Sequence, residues 1–121
     1  HEHDEGDHCD HQHDDAHRAF AASVAAWREL AAGDPSHRRN RRAYALSLLG
    51  LGMAIGSKGD LAFAVQTLEE GQSEFEQLIA EEGVDARIVE EYATLLMELG
   101  GAFVRLGRSE EAAKLYERSL E

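Results

Sequence analysis

"YALSLLGLGMAIGSKGDLAFA" at residues 44–64 and "YATLLMELGGAFVRLGRSEEA" at residues 92–112 are two versions of one unit. Tyr92 follows Tyr44 by 48 positions, and at that offset Ala45 matches Ala93, Leu48 Leu96, Leu51 Leu99, Gly52 Gly100, Gly59 Gly107 and Ala64 Ala112. The register extends upstream: Leu30 matches Leu78, Ala32 matches Ala80, Trp27 falls opposite Phe75, and Ala16 aligns with Ala64. Self-similarity at a fixed spacing of this length marks a repeat array, in which each unit buries its apolar side against its neighbours.

Each unit reads as two helices. Ile88, Tyr92, Leu95, Leu99, Phe103 and Leu106 recur at three- and four-residue spacing, the pattern of one helical face. Gly107 then sits where glycine ends helices, with Ser109 placed to cap the next, and Gly59 with Asp60 repeats the arrangement one unit earlier. "GDPS" at residues 33–36 punctuates another junction, where Pro35 stops the preceding helix. These signals predict an all-α chain of five helices near 12–32, 37–57, 60–81, 86–106 and 109–120, with a tail at residues 1–10 and a repeat domain at 11–121. Glycine inside a helix costs about 1 kcal/mol against alanine. The repeated pair Gly52 and Gly100 therefore predicts close approach between paired helices.

Composition narrows the function classes. Few Val, Ile and Thr residues disfavour sheet. Acidic residues number 24 against 12 basic ones, and the net charge of −12 opposes attraction to nucleic acid or an anionic membrane. No apolar run approaches a membrane span. Cys9 is the single cysteine, which excludes an internal disulfide and fits a reducing, cytoplasmic setting. Catalysis finds no support. "GLGMAIG" looks like a dinucleotide fingerprint but lies inside a helix with no strand before it, and the serines have no histidine in helical register.

The repeat resembles the tetratricopeptide family over residues 11–121. Leu51-Gly52, Gly59, Ala64 and Leu68 carry the resemblance in one unit, and Leu99-Gly100, Gly107, Ala112 and Tyr116 in the next. "AWRELAAGDP" is similar to the end of such a repeat's second helix. The family's usual period is ~34 residues, so the helices here are longer by about two turns each. Ile55 occupies the place of the usual aromatic in one unit, Phe103 in the other. The resemblance implies antiparallel helical hairpins stacked as a short α-solenoid. It also implies a binding scaffold rather than an enzyme, with a groove lined by first helices. Carried over position by position, that groove comprises Leu46, Leu49 and Met53, then Thr94, Met97, Gly101 and Val104, with Arg105 at the rim. The Lys, Asn and Arg residues of the family's carboxylate clamp are missing from these positions. An apolar, methionine-containing groove suits an amphipathic helix of a protein or peptide partner, or a second copy. In the competing reading these side chains face core, because longer helices close the groove.

Two further clusters carry chemistry. "HRRNRR" at residues 37–42 places four arginines at a helix start, where they oppose the helix dipole. They serve either as a clamp for acidic groups or, in the favoured reading, as ion-pair partners of acids on neighbouring helices. Arg39 and Arg87 share a repeat position. The opening "HEHDEGDHCDHQHDDAH" holds six histidines, seven acids and Cys9. His13 and His17 lie at the i, i+4 spacing that can place two imidazoles on one metal ion, with His8, Cys9 and His11 nearby. Zinc or nickel binding there is the alternative function, although clustered histidine binds such ions adventitiously. The first helix aligns with second helices of the repeat, so an apolar flank is expected to need a cover.

Overall fold

The computed structural model describes the backbone of residues 2–83 and 85–120. Side chains are described for Asp15, residues 17–81, Gly83 and residues 85–118. Within those residues there are five helices and no strand: α1 (Glu2–Gly33), α2 (Arg38–Ser57), α3 (Leu61–Glu82), α4 (Ala86–Arg105) and α5 (Ser109–Leu120). Four of the five match the sequence expectation to within about a residue. The exception is α1, which begins at Glu2 rather than near residue 12. No proline interrupts the chain before Pro35, and acids in the first turn suit a helix N-terminus.

Repeat-related residues also start and stop the helices. Gly59 and Gly107 have φ of +93° and +80°, the left-handed region open to glycine, and each follows a helix end. Asp60 caps α3, its carboxylate accepting the Phe63 N–H at 3.3 Å. His37 and Asp85, one repeat apart, cap α2 and α4: His37 Nδ1 accepts from the Asn40 N–H at 3.3 Å, and Asp85 Oδ1 from the Ile88 N–H at 2.8 Å. Ser109, expected to cap α5, is instead its first residue, and the Arg108 carbonyl accepts the Ala112 N–H.

Neighbouring helices pack in chain order, and α2 also touches α4. One core cluster joins α2 to α5 through Leu49, Leu68, Phe75, Leu95, Leu99 and Leu115. A second joins α1, α2 and the start of α3 through Val24, Tyr44, Leu48, Leu51, Ile55 and Ala64. Full burial of each such large side chain contributes about 1.5–3 kcal/mol.

The repeated glycines make these contacts possible. A Cβ at Gly52 would meet Leu68 Cγ at 2.5 Å, and one at Gly100 would meet the Tyr116 ring at 2.7 Å. Leu68 and Tyr116 are themselves one repeat apart, so the same seat recurs with a different occupant. Gly50, which has no repeat counterpart, takes the Phe20 ring of α1 against its backbone. Gly71 lies where three helices meet, with Leu95 of α4 and Leu48 of α2 at 2.8 and 3.3 Å from the place of its Cβ.

A polar clip also recurs, with its charges exchanged. In the first unit Arg28 Nε donates to the Tyr44 hydroxyl at 3.1 Å, and Arg28 pairs with Glu70 at 3.2 Å, joining α1, α2 and α3. One repeat on, the Tyr92 hydroxyl donates to Glu76 at 2.6 Å, and Arg118 pairs with Glu76 at 2.5 Å, joining α3, α4 and α5. Arg28 has become Glu76 and Glu70 has become Arg118, while the tyrosine stays.

Candidate partner-binding site

The arginine cluster at the start of α2 is engaged with acids of its neighbours. Arg38 pairs with Asp85 at 3.0 Å, and Arg41, almost fully buried, pairs with Glu81. Arg42 grips Glu91 of α4 through two bonds, Nε at 2.9 Å and Nη2 at 2.6 Å. A planar, two-bond pair of this kind fixes geometry as well as adding attraction. The structural reading of this cluster therefore holds for three of its four arginines. Arg39 and its counterpart Arg87 line an open hollow with Arg38, Arg42 and Asp85, and neither is ion-paired among the described residues. The Asp85 carboxyl is held below the usual range, chiefly by the Ile88 N–H and then by Arg38.

The residues expected to line a groove divide into two sets. Leu49 is buried at 8% exposure within the core shared with α4, and Leu46 packs partly buried against the same cluster. These two belong to the core that α2 shares with α3 and α4. Met53, Thr94, Met97, Val104 and Arg105 are exposed. Of these, Met53 and Arg105 meet in an open hollow between the C-terminal halves of α2 and α4, together with Gly56, Glu98 and Gly101. A Cβ at Gly101 would meet nothing within 4 Å, so this glycine leaves space rather than admitting a neighbour.

Comparing α2 with α4 position by position locates the uncovered surface. Ala45 is fully buried and Leu49 nearly so, and Arg41 is 9% exposed. One repeat on, Ala93 is half-buried, Met97 is 53% exposed and Val89 is 43% exposed. Val104, 50% exposed, continues this stripe at helical spacing from Met97. On α2, Leu49 and Ala45 lie in the core shared with α3 and α4 and Arg41 lies against Glu81 of α3, whereas the corresponding α4 positions Met97 and Val89 are exposed. Periodicity places both sets on a helical face but cannot tell which face has a neighbour, which is why Leu49 and Met97 read alike in the sequence.

Other polar features are structural. Tyr92, half-buried and bonded to Glu76, has its pKa pushed up to about 12, by burial first and the neighbouring carboxylate second. Glu74 lies in a hollow with Arg28, Arg41 and Tyr44, and burial raises its pKa against the opposing pull of Arg41. His17 lines a shallow hollow with Ile55, Lys58, Asp60 and Phe63. His8, Cys9, His11 and His13, the other expected metal ligands, lie outside the described side chains. Among the described residues no group of three or more His, Cys, Asp or Glu is placed to hold a metal. No helix among them is long and apolar enough to cross a membrane.

No protein-family model, curated protein or solved structure matches this chain.

Proposed function

We propose that this chain is a non-catalytic interaction module of tetratricopeptide type, its hairpins stacked as a short α-solenoid, which holds a helix of a partner on the exposed face of α4. One observation carries the reading: α4 leaves Met97 exposed and Ala93 half-buried at the repeat positions where α2 buries Leu49 and Ala45 in the core it shares with α3 and α4. A contiguous apolar stripe on a folded surface marks an interaction site more often than an idle one. Methionine suits such a surface, because its flexible thioether adapts to different partners. The repeated glycine seats and the charge-exchanged tyrosine clips support the stacked arrangement, since each joins successive helices in the same way.

Selection of helical peptides from a displayed library tests the proposal. Peptides captured by the native chain should be lost on a Met97→Glu, Val104→Glu variant of unchanged helicity. Capture that survives both changes would move the site elsewhere.

A further inference from the structure

The partner's chemistry follows from the way α4 itself sits on α2. That packing has two components: Ala45 and Leu49 of α2 are covered, and Arg42 of α2 grips Glu91 of α4 in a partly buried, two-bond pair. One repeat on, the receiving face of α4 keeps the apolar part as Ala93 and Met97 but carries Glu90 where α2 carries Arg42. Glu90 is exposed, lies at helical spacing from Met97, and is not ion-paired among the described residues. The tyrosine clips show that this repeat preserves a contact while exchanging the signs of its ends. Resting on the function proposed above, we infer that the uncovered face of α4 takes a basic amphipathic helix, laid along α4 as α4 lies along α2, with an Arg or Lys opposite Glu90.

The net charge of −12 favours approach of a basic helix and disfavours an acidic one. It also disfavours a second copy of α4, whose Glu91 would arrive opposite Glu90.

The register supplies the probe. A synthetic peptide of residues 86–106 carrying Glu91→Arg presents an α4-like face with the matching charge, and the unaltered peptide presents the mismatched one. Both are titrated into the intact, isotope-labelled chain and followed by amide resonances. The substituted peptide should bind about tenfold more tightly, a difference that close charge pairs across an interface commonly supply. The shifts should centre on Glu90, Ala93 and Met97. Glu90→Arg in the protein should invert the preference. Equal binding of the two peptides on α4, abolished by Met97→Glu, would end the basic-helix inference and leave the interaction module standing. Failure of both peptides to bind, shifts centred on another helix, or α4 shifts that grow with protein concentration alone would also overturn it.

Discussion

Gly52 and Gly100 stand at matching positions because a side chain from the next helix occupies the space a Cβ would need. Gly52→Ala and Gly100→Ala should each destabilise the fold by about 1–3 kcal/mol, the range for overpacking a tight contact. Urea unfolding measures this, and unchanged midpoints would mean that Leu68 and Tyr116 move aside freely. Gly101→Ala is the control beside Gly100, because it meets open space. It should raise stability by about 0.5–1 kcal/mol through helix propensity alone. Tyr92 gives a prediction at high pH. Its pKa is raised from 10 to about 12 in the fold, so between those values the unfolded chain has lost the phenol proton while the folded chain keeps it. Stability should therefore fall as pH rises through that window. Tyr92→Phe should flatten the fall, and an identical profile in the variant would assign the loss to another group. The glycine pair was legible in the sequence because it repeats. The seats of Gly50 and Gly71 were not, since neither glycine has a glycine counterpart 48 residues away.

Helix ends carry much of what is shared between the two units, and they are where the sequence was most readable. Glycine at positive φ and a capping carboxylate act within a few residues, so four helices fell within about a residue of their expected bounds. The start of α1 did not, because the His- and Asp-rich stretch offers neither an apolar stripe nor a proline to mark a boundary. The two caps at matching positions differ in quality. Asp85 accepts at 2.8 Å, whereas the imidazole of His37 accepts at 3.3 Å at the head of an arginine-rich turn. His37→Asp should stabilise the protein by up to about 1 kcal/mol, since a carboxylate both caps and meets the helix dipole. A lower melting temperature in that variant would show that the imidazole serves another contact. The clips between helices were hidden in the sequence, because exchanging Arg and Glu removes the identity that alignment detects. Arg118→Glu should weaken the α3–α5 clip, and Glu76→Arg in the same chain should restore it. The coupling should be about 0.2–1 kcal/mol, as expected for exposed pairs. Additive effects of the two changes would mean that the pair contributes nothing.

α2 and α4 carry the same spacing of apolar positions and differ in how much of it is buried. The sequence carries the spacing of the apolar positions, so Leu49 and Met97 were both legible as belonging to one face. It does not carry the number of neighbours, and burial therefore separates two residues that pattern treats as equal. The arginines of α2 show the same limit. Their pairing with acids of α3 and α4 depends on partners forty to fifty positions away. Unfolding of Leu49→Glu and Met97→Glu, compared side by side at a concentration where the chain is monomeric, addresses this difference. A buried charge without a partner costs several kcal/mol, whereas an exposed substitution stays within about 0.5 kcal/mol. Leu49→Glu should therefore lose most or all of its folding transition, while Met97→Glu unfolds with the native midpoint. Equal destabilisation of the two variants would mean that Met97 is covered as Leu49 is, and that α4 has no open face to offer a partner.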